Sequence, residues 1–283
     1  MFQYIAENLH KFKINRLCNL MGVSRSGFYA WLDRPASNKA LYDEELKRAI
    51  KELHQGYKRC YGARRIYHSL KKIGYSCSIR RVSRLMKELG IKASTRGLYT
   101  WSPGLNEFYA ATPNRRPGLH PASSFGEQWA GDFTYIKTKT GSLYHAVIID
   151  LFSRRVVGAS FSVRRGLALT SSALRNALAR HKPEKGCLFH SDQGSEYAAF
   201  EYREMLESNG FNRSMSRKGT PLDNAEVESY FHTMKAELAH QVEFENIIDA
   251  VAQISEYIAF YNKERIHSSL GYHSPQEYEK LYA

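Results

Sequence analysis

The sequence is poor in cysteine and has no long apolar run. Its four cysteines lie far apart and form no C-x-x-C pair, which argues against a zinc site and a disulfide framework and suits the reducing cytoplasm. No apolar run approaches the roughly 20 residues that a helix needs to cross a bilayer. The N-terminus, "MFQYIAENLHKFK", lacks the apolar segment of a signal peptide. We therefore expect a cytoplasmic protein without a membrane partner. The cysteines are Cys18, Cys60, Cys77 and Cys187.

Acidic residues are scarce in the first part of the chain. Residues 1–122 contain 23 basic and 8 acidic residues, whereas the rest of the 283-residue chain contains 18 basic and 20 acidic residues. The net charge of +13 therefore originates in the N-terminal part. A basic surplus confined to one part predicts a module for a polyanion, most often nucleic acid. A soluble basic surface without a partner is the alternative.

The first basic segment, residues 1–40, has the pattern of a helix-turn-helix. A helix over residues 14–21 is followed by the turn Gly22-Val23-Ser24 and by a second short helix, whose Phe28 and Trp31 point inward. In a helix-turn-helix the second helix can enter the major groove of DNA. Arg25, which opens this helix, is our candidate DNA contact, although many helical hairpins share the pattern.

A second helical DNA-binding module is predicted over residues 41–98. Its last helix, "SIRRVSRLMKELG", separates an apolar stripe from a basic face. Such a separation suits a DNA-facing helix, since the stripe is buried while the guanidinium groups can reach phosphates or guanine edges. A solvated basic face is the alternative. The stripe consists of Ile79, Val82, Met86 and Leu89, and the candidate DNA contacts are Arg80, Arg84 and Lys87.

Helical periodicity is lost over residues 99–124, where four of the eight prolines occur, and we interpret this stretch as a linker. Three strand-like segments follow, and then helix and strand alternate. This order predicts an α/β domain over residues 125–283, with a mixed sheet covered by helices on both faces. From these boundaries we expect the domain to fold without residues 1–122.

Acidic residues at three places in this domain are candidates for a metal site. Asp132 lies inside the first strand, where an unpaired carboxylate is costly. Asp192 ends the buried strand "CLFHSD", and α/β sheets open into clefts at such strand ends. Each has a bland alternative, as a bulge or edge residue and as a turn former. With an acid from a later helix they would make a three-carboxylate site for hard divalent cations.

The later helix, within "LDNAEVESYFHTMKAEL", offers two acids on opposite flanks. At about 100° per residue, Glu228 shares a flank with His232 and Lys235, and Glu226 lies on the other. Asp223 and Glu226 also have capping-box spacing, which would make Glu226 a helix cap only. The helical wheel does not say which flank faces the cleft.

The chain from residue 127 to 278 resembles the catalytic core of bacterial insertion-sequence transposases of the IS3 family, which are kin to retroviral integrases. It is similar to the product of their second reading frame. The N-terminal "LMGVSRSGFYAWL" and "YGARRIYHSLKKIGY" match as well. The matching core segments are "QWAGDFTYI", "YHAVIIDLFSRRVVG", "FHSDQGSEY", "SMSRKGTPLDNAEVESYFHTMKAEL" and "YNKERIHSSLGYHSPQEY".

The resemblance implies an RNase H-like fold and a catalytic Asp-Asp-Glu triad with 35 residues between its last two members. Positions 193–227 make up that interval between Asp192 and Glu228, so the triad is Asp132, Asp192 and Glu228. The family also has a basic residue seven positions after the Glu, which is Lys235 here, and we expect it to contact DNA. His190 and His232 are expected to support the site.

The implied activity is metal-dependent DNA cleavage and strand transfer by a polynucleotidyl transferase. Two Mg²⁺ ions per site, or Mn²⁺ in their place, would be held by the three carboxylates. The implied partners are terminal-repeat and target DNA, further copies of the chain on that DNA, and an upstream-frame product to which the chain is fused or by which it is assisted. The implied location is the bacterial nucleoid. The alternatives are an RNase H-like nuclease without strand transfer and a catalytically inactive DNA-binding regulator.

Overall fold

The computed structural model describes residues 1–33, 35, 37–94, 114–116, 120–217 and 221–282. Most of the predicted linker therefore lies outside the described residues, and the three boundaries between the four predicted segments remain predictions. None of the described helices has both the length and the apolar character that crossing a membrane requires.

The first three helices pack around a small core of their own. They are α1 (Phe2–Asn8), α2 (Ile14–Leu20) and α3 (Arg25–Leu32). Between α2 and α3, Gly22 has a φ of 63°, a left-handed conformation that glycine adopts without a steric penalty. The Ser24 hydroxyl then accepts the Gly27 N–H at 3.0 Å and caps α3. The core residues are Ile5, Leu17, Cys18 and Phe28.

The next three helices, α4 (Asn38–Gly56), α5 (Ala63–Lys72) and α6 (Ile79–Glu88), form a second helical unit. On α6, Val82, Leu85 and Met86 are buried. Ile79, which the apolar pattern includes, is 40% exposed at the first residue of the helix, and Leu85 is buried instead. The Ser78 hydroxyl caps α6 by accepting the Arg81 N–H at 3.2 Å.

Five strands form one mixed sheet in the order β3-β2-β1-β4-β5. Strands β1, β2 and β3 are antiparallel, and β4 and β5 are added parallel to β1. The central strand β1 therefore has an antiparallel neighbour on one side and a parallel neighbour on the other. The strands are β1 (Gln128–Thr138), β2 (Gly141–Asp150), β3 (Val156–Ser162), β4 (Leu188–Ser191) and β5 (Asn212–Met215).

Helices cover both faces of the sheet because successive strand residues point to opposite sides. Trp129 of β1 lies in the core beneath α7 (Leu167–Leu178) and α9 (Phe200–Ser208). Its neighbour Ala130 lies in the core on the other face, beneath two further helices. The remaining helices are the short α8 (Ser195–Ala198), then α10 (Ala225–Met234), α11 (Ile247–Lys263) and α12 (Pro275–Tyr282).

The predicted fold class is confirmed. A mixed sheet with helices on both faces, the RNase H-like arrangement, follows an all-helical region. One irregularity matters for the site, because α10 continues directly into a single π-helical turn, Lys235–Ala239. Such turns are rare and occur frequently at functional sites.

Candidate active site

Asp132 lies in the middle of the sheet. On β1 it pairs with Val147 of β2, while the preceding residue, Gly131, pairs with Ser191 at the end of β4. The carboxylate is half-buried and accepts the N–H of Phe133 at 2.7 Å. Asp132 is therefore held by its pairing with β2 on one side, and it directly follows the last residue of β1 that pairs with β4 on the other.

Asp192 follows β4 directly and is also half-buried. Gly131 of β1 and Ser191 of β4 are register partners on parallel strands. Asp132 and Asp192 are the residues that directly follow this pair, so the two acids occupy corresponding positions along the two chain segments. The Asp192 carboxylate accepts the Gly194 N–H at 3.0 Å, which closes a tight turn after the strand. The loop is thus held by the same carboxylate that the sequence nominates as a ligand.

Helix α10 brings the third acid. Its buried face includes Val227 and Tyr230, whereas Glu228 between them is exposed. At the start of the helix, the side-chain amide of Asn224 donates to the carbonyl of Gly131 at 3.5 Å. This contact joins the helix start to the strand residue that precedes Asp132.

The three acids share one electrostatic environment. Burial, together with the charges of Asp192 and Glu228, raises the pKa of Asp132 to about 8. Although the Glu228 residue is largely exposed, partial desolvation of its carboxylate raises the pKa of Glu228 as well, and the charge of Asp192 adds to that effect. The pKa of Asp192 is raised by burial, with a contribution from Glu196. Each acid is therefore harder to ionise in the folded protein than in water.

Lys235, on the π-helical turn after α10, faces the same region. Burial lowers its pKa, and the charge of Asp132 opposes that effect. The ammonium lies 5.7 Å from the centre of the Tyr135 ring, within the range of a cation–π contact. A half-buried cation thus stands beside the acid at the centre of the sheet.

Within the described part of the chain, no three or more His, Cys, Asp or Glu side chains are arranged so that they could hold a metal ion. Asp132 and Asp192 each accept a nearby backbone N–H instead. The donor chemistry nevertheless fits a hard divalent cation, because all three groups are carboxylates. A cation among them would also offset the burial and repulsion that raise the pKa of Asp132.

Glu226 belongs to a separate ion-pair cluster, and the capping-box prediction for it is wrong. Its carboxylate lies 2.8 Å from the guanidinium of Arg116 and 3.2 Å from that of Arg154. Asn224 is the N-cap residue and makes no side-chain capping bond, while Asp223 accepts the N–H of Arg217 at 2.9 Å. Two half-buried guanidinium groups attract the carboxylate more strongly than a backbone N–H does. Glu226 and Glu228, the two acids of this helix, therefore lie in different surroundings.

Two known families match most of the described chain. Residues 123–221 and residues 209–275 match the Integrase core domain, and residues 41–99 match an HTH-like domain. The HTH-like match covers the unit of α4, α5 and α6, and the integrase matches cover the sheet and α10.

Relatives along nearly the whole chain decide the family. The transposase of insertion sequence IS904 from Lactococcus lactis is 37% identical over 88% of this chain and 99% of its own length. The transposase InsF of IS3A from Escherichia coli is 32% identical over 98% of each chain. The chain belongs to the family of IS3-type insertion-sequence transposases. Among solved structures, the HTLV-2 integrase catalytic core in complex with magnesium is 18% identical, with a TM-score of 0.40, over 57% of this chain and 98% of its own.

The candidate DNA contacts of the transposase lie on two separate helices. Arg80 and Lys87 are exposed on α6, and Arg25 is exposed at the first residue of α3. Arg84, also on α6, is engaged within the protein, at 2.8 Å from Asp43 and 2.5 Å from Glu88. A DNA contact by Arg84 would therefore compete with these ion pairs.

The two histidines nominated as supporting residues differ in setting. His190 of β4 is fully buried, and its ring nitrogens lie 2.9 Å from the Ser214 hydroxyl and 3.0 Å from the Ser216 hydroxyl. It thus joins β4 to β5 and the residue after it. His232 is exposed on α10, one turn after Glu228.

Sequence reasoning missed Glu196 of the transposase. This acid on α8 is buried, accepts the Ser195 hydroxyl at 3.0 Å and lies 3.4 Å from the Arg165 guanidinium. Its charge contributes to the raised pKa of Asp192. The sequence feature that could have indicated Glu196 is its position four residues after Asp192, where the end of a strand is followed by a helix.

Proposed function

We propose that this transposase cleaves and joins DNA strands at the ends of an insertion sequence through Asp132, Asp192 and Glu228. The observation that carries the proposal is the half-buried Asp132, whose pKa is raised to about 8 by burial and by two acids from other elements. A cluster of acids is unfavourable in a folded chain because like charges repel one another. Titratable groups with strongly shifted pKa values concentrate at functional sites.

The three carboxylates would hold two divalent cations, Mg²⁺ or Mn²⁺. When bound, such ions activate the attacking oxygen and neutralise the leaving oxygen of a phosphodiester. The carboxylates serve hydrolysis, in which water attacks, and strand transfer, in which a DNA 3′-hydroxyl attacks. No protein nucleophile is needed, so neither Ser191 nor the buried His190 has a covalent role.

Lys235 would hold the DNA backbone beside the acids. Its ammonium is close enough to Asp132 for the two charges to interact, and it lies 5.7 Å from the centre of the Tyr135 ring. A phosphate at this position would be paired with Lys235 and oriented toward the carboxylates. The lysine is thus a DNA-contacting group rather than a metal ligand.

Selection of the element's ends would belong to the helical part. In this proposal residues 1–40 are a helix-turn-helix segment that contacts DNA through Arg25. Residues 41–98 form a second DNA-binding module that uses Arg80, Arg84 and Lys87. Residues 99–124 link the modules to a catalytic core over residues 125–283. The basic surplus of the first 122 residues supports this division.

The partners in this proposal are terminal-repeat and target DNA, and further copies of the chain that assemble on them. The product of an upstream frame would be fused to the chain or would assist it. The site of action would be the nucleoid in a bacterial cytoplasm.

The decisive experiment is joining of a labelled terminal-repeat oligonucleotide to a supercoiled plasmid with and without Mg²⁺. We expect joining in Mg²⁺ and none in EDTA. Cleavage without joining would favour a nuclease, and binding with neither reaction would favour a DNA-binding regulator. Glu228→Gln is the matched inactive variant, and Glu226→Gln is its control on the same helix.

A further inference from the structure

Residues 265–277 connect the catalytic core to the second helical unit, α4–α6. The backbone N–H of Ile266 donates to the Tyr61 hydroxyl at 2.9 Å. The Ile266 side chain is 2% exposed and lies in the apolar core of α4–α6. Further along, the Tyr272 ring stacks on His68 of α5 at a centroid distance of 3.6 Å. This segment matches the family closely in sequence, and its contacts give it a physical role.

Glu237 joins three parts of the chain at a buried point of this contact. Its carboxylate receives two hydrogen bonds from the Arg265 guanidinium, at 2.7 and 2.8 Å, and one from the Tyr257 hydroxyl at 2.9 Å. Arg65 of α5 approaches the same carboxylate at 3.4 Å. The π-helical turn, α11 with the segment after it, and the helical unit therefore meet at one side chain.

The energetics of Glu237 require these partners. Burial alone would raise its pKa, but the charge and hydrogen bonds of Arg265, with smaller contributions from Arg65 and Tyr257, hold the pKa below its ordinary value. Its side chain is 1% exposed, and a buried charge that loses its partner destabilises a protein strongly. The geometry of the contact is therefore tightly specified.

Glu237 also lies two residues after Lys235 on the turn that continues α10. The continuous helix formed by α10 and the π-helical turn carries Glu228 and Lys235 on the side of the site, and Glu237 on the side of the helical unit. A displacement of α4–α6 relative to the core would be transmitted to this helix through Arg65, Glu237 and Arg265.

We propose that Glu237, Arg265, Arg65 and Tyr61 are positioning residues that fix the α4–α6 unit against the catalytic helix, so that DNA held by the unit is presented to the three acids. The proposal rests on the proposed function, and it adds a group of residues that touch neither the DNA ends nor the reacting atoms. Their role is the relative placement of two binding surfaces.

The test uses the full chain with the double variant Tyr61→Phe/Arg65→Met. This variant removes the links that the Tyr61 hydroxyl and the Arg65 guanidinium make to the core, while Arg265 and Tyr257 still satisfy Glu237. We expect the joining rate at saturating terminal-repeat DNA to fall at least about tenfold, because small displacements of a substrate strongly slow chemistry. Affinity for that DNA should stay at the parent level. Hydrogen exchange at the Ile266 amide, whose acceptor is removed, should accelerate.

An exposed ion pair at the same contact provides a variant that does not disturb the buried core. Lys72 lies 2.7 Å from Glu277. Lys72→Glu should slow joining by about threefold, because it replaces an attraction at this exposed contact by a repulsion. The control is Lys139→Glu, which breaks an exposed ion pair of the core itself, in which Lys139 lies 2.6 Å from Glu245. The control should join DNA at the parent rate.

Parent-level joining by Tyr61→Phe/Arg65→Met, despite faster exchange at Ile266, would overturn the proposal. So would a loss confined to DNA affinity, which would make these residues part of the DNA-binding surface. A parent protein that joins no DNA in Mg²⁺ would contradict the proposed function instead. In that case unchanged exchange at Ile266 in the double variant would still contradict the docking contact.

Discussion

Asp132 illustrates how the meaning of one carboxylate depends on what surrounds it. In the sequence it is an acid within an apolar strand, a position that a bulge or an edge could also explain. In the fold it occupies the central strand, next to the residue paired with the end of β4, and its pKa is raised to about 8. Neither a bulge nor an edge accounts for that combination.

For the proposed triad, we expect Asp132→Asn, Asp192→Asn and Glu228→Gln each to abolish cleavage and joining. Each change removes a charge that would hold a cation, with little change of shape. Affinity for terminal-repeat DNA, measured by fluorescence anisotropy in EDTA, should be retained. An active Glu228→Gln protein would remove this residue from the triad.

Glu226→Gln should behave differently from Glu228→Gln. Joining should persist, but the free energy of unfolding should fall by about 1–3 kcal/mol, because Arg116 and Arg154 lose a charged acceptor in a half-buried setting. Urea unfolding followed by circular dichroism measures the loss. Unchanged stability would show that this ion-pair cluster contributes nothing to folding.

Lys235→Ala should weaken DNA binding nearly uniformly across sequences. The slope of log K against log salt should decrease by about 0.9, the value for one lost phosphate contact on B-DNA. Lys263→Ala, which removes an exposed lysine at the end of α11, is the matched control and should leave the slope unchanged. An equal slope for the parent and Lys235→Ala would mean that this lysine contacts no phosphate.

At the scale of elements, β2 and α10 meet at His145. Its ring lies between the Ser160 carbonyl, 3.2 Å from Nδ1, and the Tyr230 hydroxyl, 3.5 Å from Nε2, and it stacks on Phe161. Burial lowers the pKa of His145 to about 4. The imidazole is therefore neutral in the folded protein at neutral pH, whereas the unfolded chain takes up a proton near the ordinary pKa of about 6.5.

This lowered pKa makes stability depend on pH in a defined direction. The contribution of His145 is intact above about pH 6.5 and is lost as the pH falls through 6.5 toward 4, because only the unfolded chain binds the proton readily. Between pH 7.5 and 5 we expect a loss of about 2 kcal/mol that His145→Gln lacks. Urea unfolding of both proteins at the two pH values gives the difference. Identical pH dependence would mean that the His145 ring accepts a proton without unfolding.

The elements themselves follow closely from sequence pattern, because strand alternation and helical periodicity are local properties. The strand bearing Asp132 and the strand that leads to Asp192 could both be predicted in this way. The role of Glu226 could not, since its partners Arg116 and Arg154 lie 110 and 72 positions away in the chain. A long-range ion pair leaves no periodic pattern in the sequence. The role of Glu226 was therefore interpreted from a local pattern, the capping-box spacing.

At the scale of the whole molecule, the two helical units differ in how they join the rest. Among the described residues, the buried core of α1–α3 contains residues of those helices only, whereas the core of α4–α6 includes Ile266. Sequence composition indicated one boundary near residue 122. It did not indicate that the two helical units differ in their contacts with the catalytic core. The expectation that the core folds equally well without residues 1–122 therefore needs revision, since their removal would leave Ile266 without its surroundings.

A shorter truncation provides the test. Removal of residues 1–36 leaves Ser37, whose hydroxyl caps α4, and should leave the unfolding of the remaining chain unchanged. Affinity for terminal-repeat DNA and its salt slope should decrease, because five basic residues including Arg25 are lost. Removal of residues 1–122 should in contrast lower the melting temperature of the core. Equal melting temperatures for both truncated proteins would contradict the docking role of Tyr61 and Ile266.

The contact between Tyr61 and Ile266 also sets an order of events during synthesis. The two residues are 205 positions apart. At ~5–20 residues per second, Ile266 is made roughly 10–40 s after Tyr61. Through that interval the α4–α6 unit has its basic helix but lacks the residue that completes its core. If the proposed function holds, a nascent chain can begin to hold DNA well before it can align that DNA for reaction, so that its capacity to bind would precede its capacity to cut.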